Sequence, residues 1–420
     1  MTQQSDATGG TPASPGDALK ARAAGNGFAP SFVLAAACCR WPPSEARHAA
    51  VRTAAHPITD WNDFLLQVSR QRVAGLVHAA LASAEVALPP ATAKKLAALA
   101  LRIARQNLRY AAETIRLQRA FEAANITVLA LKGIALAQLA YGSIKAKDSR
   151  DIDLLISSDQ VEAALLVLER EGYALSHPAE RLSKTQRRAV FRYAREVQLI
   201  RRDRKLRVEL QWRATNNPLL LKGIDANSPA QLVRLGDGMC IRTLAQEDLF
   251  AYLCVHGAQH AWSRLKWLAD LNALIAESNE SVERLYRHAQ PIGAAFCAGQ
   301  ALLLCNQLFE LKLPPGLADE IERDGRSRRL AKMAALTMLD SRAEAQMGRS
   351  FVSKMRVILA QFLLGKGWAF FWAEYRVEFV RILDVIDFPL PAFLHFVYPL
   401  IRLPLWLWRR GAATVTRRRT

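Results

Sequence analysis

The stretch that most constrains the fold runs from Ile126 to Ile156 and reads ITVLALKGIALAQLAYGSIKAKDSRDIDLLI. Its first part, ITVLALK, is rich in β-branched residues and leucine and predicts a buried strand, after which Gly133 permits a tight turn. The following GIALAQLAYG predicts a helix of about three turns. DIDLLI then predicts a second strand. This stretch therefore has to fold as strand, glycine turn, short helix and strand.

The second strand opens with two acidic residues, Asp151 and Asp153. Residues two apart on a strand point to the same face, so we expect both carboxylates to share one exposed edge. Carboxylates held close together resist joint ionisation unless a cation lies between them. The pair is therefore a candidate site for a divalent metal. The alternative is a pair of solvated aspartates at the start of a strand.

The chain is long and strongly basic. Its 420 residues suffice for two or three domains with a substantial core. The formal net charge of +19 favours anionic partners, such as nucleoside triphosphates, nucleic acid or a phospholipid surface, and does not choose among them.

The cysteines predict a cytoplasmic setting. The six cysteines form no C-x-x-C motif, and no histidine lies near them at zinc-binding spacing, so reduced thiols are the simplest interpretation. FAPSFVLAAACC, residues 28–39, resembles the apolar core of a signal peptide. It lies late and is short, and a first helix is expected there instead.

Two further regions before the second strand have clear patterns. Residues 1–28 consist mainly of small and polar residues without apolar periodicity and predict a disordered tail. From there to about residue 118 the pattern is helical, with a capping signal at Thr59 and Asp60. A Pro-Pro break at 89–90 precedes a predicted long helix from Ala91 to about Ala124.

A basic hairpin follows the second strand. Residues 181–207 hold eleven Lys or Arg against two acidic residues, and EVQLIRRDRKLRVELQW within and after them predicts two alternating strands. Glu209 alternates with Val208 and Leu210, so it faces the side opposite these apolar residues. We expect it to lie over the same sheet edge as the two aspartates, although pairing with a neighbouring arginine is the alternative.

The chain turns helical again from Leu244. His256 and His260 lie four residues apart, at the spacing of a metal pair, but no glutamate follows His256 and no third ligand is evident. A structural or substrate-facing role is favoured over zinc. The residues that follow are expected to pack the helical region against the sheet: Trp262, Arg264, Trp267 and Asp270.

From about Val357 the chain is rich in aromatic residues and ends with basic ones. Its longest uncharged run, Phe388–Ile401, has 14 residues with three prolines, which is shorter than the roughly 20 needed to cross a bilayer. Contact with a membrane surface and ordinary packing are both consistent with this composition.

These motifs together resemble a known superfamily. Lys132-Gly133, Asp151-x-Asp153 and a later Glu209 resemble the nucleotidyltransferases typified by DNA polymerase β. More narrowly, LKGIALAQLAYG, DIDLLI, VELQW and HGAQHAWSRLKWLADL resemble a poorly characterised bacterial branch of that superfamily with added helical domains. The resemblance spans about residues 30–275.

The resemblance implies an α+β, mostly helical fold with a small mixed β-sheet core flanked by helical domains. The expected organisation is a disordered tail (1–28), an N-terminal helical domain (29–118), a nucleotidyltransferase core (119–215), a C-terminal helical domain (216–356) and an aromatic and basic C-terminal segment (357–420).

The resemblance also implies phosphoryl transfer assisted by two Mg²⁺ ions, in which pyrophosphate leaves. Asp151 and Asp153 would hold Mg²⁺ on a nucleoside triphosphate such as ATP, and Glu209 would share the second ion and help deprotonate an acceptor hydroxyl. Lys132, Gly133 and Lys147 would bind the nucleotide, with Gly133 letting the backbone approach the phosphates.

The acceptor is expected to be a small molecule, a sugar or a protein. Nucleic acid is less favoured because the basic hairpin has few aromatic residues to stack on bases. Three departures from the family pattern motivate an alternative: Ile134 replaces a small residue of the turn, Lys147 an arginine, and Gln211 a histidine. The alternative is a catalytically weak or inactive protein of the same fold that binds nucleotides or polyanions.

Overall fold

The computed structural model describes residues 27–236, 238–347 and 351–401. Their architecture is α+β and mostly helical with a small mixed sheet, which confirms the predicted fold class. The predicted disordered tail lies almost wholly outside the described residues, as does the end of the C-terminal segment, residues 402–420.

Five helices precede the sheet in the described part of the chain: α1 Pro30–Cys38, α2 Glu45–Ala55, α3 Trp61–Gln71, α4 Ala74–Ser83 and α5 Pro90–Ala123. The predicted cap before α3 is confirmed, because the Asp60 carboxylate accepts hydrogen bonds from the backbone N–H groups of Asn62 and Asp63. Helix α5 agrees with the predicted long helix to within one residue at each end. It leads the chain directly into the sheet.

Within the described residues, five strands form the main sheet in the order β1-β2-β5-β4-β3. Their bounds are β1 Val128–Ala130, β2 Ile152–Ile156, β3 Ala174–His177, β4 Glu196–Arg201 and β5 Leu206–Gln211. Strands β2 and β5 are parallel, whereas the other neighbours are antiparallel. The pairing of β4 with β5 confirms the predicted hairpin. The connecting helices are α6 Gly133–Tyr141, α7 Val161–Arg170 and α8 Lys184–Tyr193.

Strand β1 is shorter than the seven-residue strand expected from ITVLALK. The flanking Ile126 and Leu131 are buried, but only three residues are strand. The Leu131 N–H still donates to the Asp153 carbonyl at 3.1 Å, after which the backbone leaves the sheet for the turn at Gly133, whose φ of +61° favours glycine. The apolar run correctly predicted that these residues are buried, but it overestimated how many of them pair within the sheet.

The second half of the described chain is mainly helical. A hairpin of β6 Ala230–Gly236 and β7 Met239–Leu244 leads into α9 Gln246–Gln259, α10 Leu265–Ala276, α11 Val282–Ala289, α12 Ala295–Phe309, α13 Pro315–Arg323, α14 Gly325–Met347, α15 Phe351–Phe362, α16 Gly367–Phe379 and α17 Ile382–Asp387. Between α9 and α10, Trp262 is completely buried and packs against Gly257, where an added Cβ would lie 2.2 Å from its ring. This tight turn sets the end of α9 beside α10.

Helices from both ends of the chain share one apolar core. Phe64 and Leu76 from the N-terminal helices pack in the same cluster as Phe250 and Leu302 from the later ones, and a second cluster surrounds the sheet. Residues 282–309 are long and apolar enough to cross a membrane by length and composition. Because Ala301, Leu302 and Leu304 on α12 are completely buried within this core, we interpret this stretch as a core element.

Three polar contacts fix the C-terminal segment against the rest of the molecule. Asn217 Nδ2 donates to the buried Glu374 carboxylate at 2.6 Å, Gln361 Nε2 donates to the Gln259 carbonyl at 3.0 Å, and Gln186 Nε2 donates to the Ile386 carbonyl at 3.3 Å. The segment is therefore docked on α8 and α9 rather than detached from them.

Replacing Glu374 with glutamine is expected to stabilise the protein above neutral pH. Burial raises the pKa of Glu374 from its ordinary value of 4.5 to about 7, against the opposing hydrogen bond from Asn217. Between these values the native state binds a proton that the unfolded state has lost, so the free energy of unfolding falls as the pH rises from 4.5 to 7. Glutamine does not ionise, and at pH 8 the gain should approach about 3 kcal/mol.

Thermal unfolding at pH 4.5 and pH 8 tests this expectation. The unfolding temperature of the Glu374→Gln variant should be clearly higher than that of the wild type at pH 8, and the two should be nearly equal at pH 4.5. An equal difference between the two proteins at both pH values would contradict the assignment.

Candidate active site

Strands β2 and β5 bring two of the predicted acidic residues side by side. Asp153 and Glu209 are register partners across this parallel pair. Both line a cavity of about 310 Å³, and Asp151, which directly precedes β2, lines it too. The structure thus brings the three carboxylates to one cavity, as the alternation of residues along each strand predicts.

Asp153 lies deeper than expected. The expectation of an exposed edge is wrong for this residue, because only 3% of it is accessible. Its Oδ1 lies 2.9 Å from Lys132 Nζ and accepts a hydrogen bond from Gln211 Nε2 at 3.2 Å. Burial raises the pKa of Asp153, but Lys132 and a hydrogen bond with Glu209 outweigh it, so the pKa lies below its ordinary value. Asp153 is therefore ionised and already paired.

Glu209 is in the opposite state. Burial, followed by the charges of Asp153 and Glu196, raises the pKa of Glu209 to about 9. Its Oε1 accepts a weak hydrogen bond from Gln198 Nε2 at 3.4 Å. At neutral pH Glu209 therefore keeps its proton and donates a hydrogen bond to the ionised Asp153.

The turn before α6 contributes positive charge to the same cavity. Lys132 and Gly133 both line it, and Gly133 is the first residue of α6, so the positive end of the helix dipole lies at the wall. Burial lowers the pKa of Lys132, but Asp153 raises it more, and the ammonium stays charged. Ile134, by contrast, is buried in the core cluster around the sheet.

Lys147 also lines the cavity, but a buried carboxylate holds it. Its Nζ lies 3.0 Å from Asp270 Oδ2, and Tyr141 donates its hydroxyl hydrogen to Asp270 Oδ1 at 2.9 Å. Asp270 belongs to α10, so this contact ties the loop before β2 to the later helices.

Helices α9 and α10 supply an aromatic wall. His260 and Trp267 stack with ring centroids 4.8 Å apart and an interplanar angle of 16°, and His256 meets His260 edge to face at 4.6 Å. Burial lowers the pKa of His260 to about 3, so the imidazole is neutral. All three rings line the cavity, which agrees with a structural or substrate-facing role.

Three cationic residues of the cavity were not singled out from the sequence. Arg195 Nη2 lies 2.7 Å from Glu196 Oε2, Arg72 Nε lies 3.2 Å from Asp148 Oδ2, and Lys266 stands on α10. Burial, and then the charges of Lys147 and Arg72, lowers the pKa of Lys266 well below its ordinary value. Because these side chains come from distant parts of the chain, the sequence carried no signal of their convergence beyond the basic run around Arg195.

The sequence also matches a known protein family. A sequence model described as uncharacterised nucleotidyltransferase matches residues 57–310, which is more than half of the chain. The chain belongs to this nucleotidyltransferase family. A comparison with curated proteins finds no match. The matched range includes the whole main sheet, Asp151, Asp153 and Glu209, and the aromatic wall.

The side-chain donors at this cavity fit magnesium in chemical type. Among the described residues, no group of three or more His, Cys, Asp or Glu side chains is arranged to hold a metal ion. Magnesium, however, commonly takes only one or two carboxylates from the protein and further oxygens from substrate phosphates and water. Burial, and then the charge of Asp153, raises the pKa of Glu209, and a bound cation would offset the second of these effects. Carboxylate donors on adjacent strands therefore suit such an ion.

Proposed function

We propose that this chain is a Mg²⁺-dependent enzyme that transfers a nucleoside monophosphate from a nucleoside triphosphate to an acceptor hydroxyl, with release of pyrophosphate. The observation that carries the proposal is the pairing of Asp153 with Glu209 across strands β2 and β5, at a cavity that lysine and arginine side chains also line. Membership of a nucleotidyltransferase family supports the reaction class.

In this proposal, Asp151, Asp153 and Glu209 are the residues that would hold the two metal ions. Magnesium, when bound, neutralises charge on the triphosphate and the leaving pyrophosphate. Lys132 and the backbone at Gly133 bind the phosphates, with Lys147 adding positive charge from the loop before β2. Glu209, once ionised, takes the proton of the attacking hydroxyl.

The aromatic wall suits the remainder of the nucleotide. The exposed His260 ring, which stacks on Trp267, offers a surface for a base, and a neutral imidazole does so without adding charge. The acceptor in this proposal is a small molecule, a sugar or a protein.

A direct assay tests the reaction. The chain is incubated with Mg²⁺, candidate acceptors and each of α-labelled ATP, CTP, GTP and UTP, and labelled product and pyrophosphate are measured. We expect transfer from at least one nucleotide and its loss in the double variant D151A/D153A. The control Asp203→Ala removes an exposed carboxylate of the β4–β5 turn. Transfer that persists in the double variant would exclude this assignment.

One observation favours a second candidate, a non-catalytic protein that binds nucleotides or polyanions. Asp153 already engages Lys132 and Gln211, and Gln211 is one of the departures from the family pattern. Isothermal titration with Mg-nucleotides separates the two candidates. Tight binding without transfer to any acceptor would support the second.

We also propose that the C-terminal segment contacts a membrane surface. Trp368, Phe393 and Leu400 expose about three quarters of their surface, at 76%, 75% and 75%, and basic residues follow them in the sequence. Aromatic and aliphatic groups beside basic ones suit an anionic lipid interface. Sedimentation with vesicles containing anionic lipid should fall several-fold when residues 388–420 are deleted. Unchanged sedimentation after the deletion would contradict the proposed membrane contact.

A further inference from the structure

A second cavity adjoins the catalytic one. It has a volume of about 800 Å³ and lies between the β4 side of the sheet and the C-terminal segment. Arg195, Glu196 and Gln198 line both cavities, and Gln198 also donates a hydrogen bond to Glu209. Strand β4 is therefore a shared wall, so a ligand in the second cavity lies next to the catalytic carboxylates.

The second cavity is strongly basic. Five arginines line it: Arg192, Arg195, Arg213, Arg376 and Arg381. Glu196 is the acidic residue among the lining side chains, and Arg195 already pairs with it at 2.7 Å.

The arginines of the second cavity approach one another from separate elements. Arg192 from α8 and Arg376 from α16 both act on His395, whose pKa burial and these two charges lower. In the described part of the chain, neither Arg376 nor Arg381 lies within ion-pair distance of a carboxylate. Burial raises the pKa of the nearby Glu378, and the charge of Arg381 opposes this. Five guanidinium groups against the single lining carboxylate of Glu196 make a site for an anion, and phosphate suits their geometry.

The side formed by the α16–α17 region carries Arg376 and Arg381 and is otherwise apolar. Residues from the α16–α17 region line it: Ala373, Val377, Val380, Ile382, Leu383 and Val385. Contacts hold this wall over the basic floor, since Tyr193 and His395 meet with ring centroids 4.8 Å apart and Gln186 binds the Ile386 carbonyl. The cavity therefore combines an anion-binding floor with a hydrocarbon-binding wall, in a volume typical of ligand sites.

We infer that the second cavity binds an anionic amphiphile, namely a phosphate-bearing headgroup with a free hydroxyl attached to a single hydrocarbon chain. The next step rests on the proposed function: this ligand is the acceptor of the nucleotide. Its hydroxyl oxygen forms a bond to the α-phosphorus of the nucleotide while the bond to the bridging oxygen breaks. Pyrophosphate leaves with that electron pair, and the hydroxyl proton passes to Glu209 in its ionised form.

Titration calorimetry of the whole chain without nucleotide tests the site. Three probes separate its parts: lysophosphatidic acid below its micelle concentration, glycerol 3-phosphate as the headgroup alone, and monoacylglycerol as the chain without phosphate. Lysophosphatidic acid should bind about tenfold or more tightly than either fragment, since it alone uses both walls. Equal binding of either fragment would overturn the inference.

Variants locate the binding in this cavity. R376A/R381A should weaken binding of lysophosphatidic acid by about tenfold or more, because charge-assisted contacts to phosphate are lost. The matched control R328A/R329A removes two arginines that are exposed on α14 and should change affinity less than about twofold. If the double variant fails to fold, Val377→Asp, which places a negative charge in the apolar wall, should weaken binding instead. Unchanged affinity in a folded variant would refute the site.

A separate measurement tests whether the bound ligand is the acceptor. A labelled nucleotide should be incorporated into lysophosphatidic acid, and incorporation should fall in R376A/R381A. Transfer to another acceptor alone, with lysophosphatidic acid bound but unlabelled, would overturn the acceptor assignment. Because binding is measured without nucleotide, a failure of the proposed reaction is distinguishable from a failure of the site.

Discussion

Glu209→Gln is expected to lower nucleotidyl transfer by about 10²- to 10⁴-fold, the usual contribution of a general base. The same change should alter the free energy of unfolding by less than about 1 kcal/mol. The reason is the raised pKa of Glu209, about 9, which leaves the side chain neutral in the native state. Glutamine keeps that neutral shape, still accepts from Gln198 and still has a donor for Asp153, but it neither ionises nor takes a proton.

Asp153→Asn provides the contrasting control. It removes the partner of Lys132, whose side chain is only 15% exposed, and a broken buried ion pair typically costs about 3–5 kcal/mol. Activity should therefore fall in both variants, whereas stability falls only in Asp153→Asn. Rates measured with the best labelled nucleotide, together with urea unfolding, check this pattern. Transfer within about tenfold of the wild type in Glu209→Gln would remove the base role from this residue.

Asp270→Ala is expected to destabilise the protein by about 3–5 kcal/mol. The ion pair with Lys147 is buried, with side-chain exposures of 6% for Lys147 and 4% for Asp270. The substitution leaves an uncompensated ammonium and also removes the acceptor of the Tyr141 hydroxyl. Burial, and then the charge of Lys147, lowers the pKa of Lys266, whereas Asp270 opposes this, so loss of that carboxylate further disfavours the charged form of Lys266.

The double variant K147M/D270L isolates the buried charge as the cause. Replacing a buried ion pair with apolar side chains of similar volume is often neutral, so this variant should recover most of the loss. The surface control Asp203→Ala removes an exposed carboxylate that pairs with Arg201 and Arg204, and it should cost less than about 1 kcal/mol. Urea unfolding measures all three. A loss below 1 kcal/mol in Asp270→Ala would show that the pair contributes little.

Much of the local architecture was predictable from the chain. The β4–β5 hairpin, the long helix α5 and the cap at Asp60 follow from alternation, periodicity and capping, which depend on residues close together in sequence. The convergence of Asp153 and Glu209 was also predictable in part, because alternation sets the face that each side chain takes. The exposure of these side chains was not predictable, and Asp153 proved to be buried.

Long-range pairing was beyond the sequence. The parallel register of β2 with β5, the contact of Lys147 with Asp270 and the entry of Lys266 into the cavity each join distant segments. A local pattern reports which residues become buried or share a face, but it does not report their partners. The second cavity is a further case, since Arg192, Arg195 and Arg213 lie far in the chain from the α16–α17 residues that complete it.

The sequence, with the family resemblance that it carries, determined the fold class, the order of the elements around Gly133 and the three acidic residues that meet at one cavity. Tertiary structure alone decided their electrostatic states. Asp153 is ionised beside Lys132 whereas Glu209 is protonated, although both are ordinary carboxylic acids on neighbouring strands. The physical reason is that a pKa depends on burial and on the charges within a few ångströms, and only the folded chain sets both.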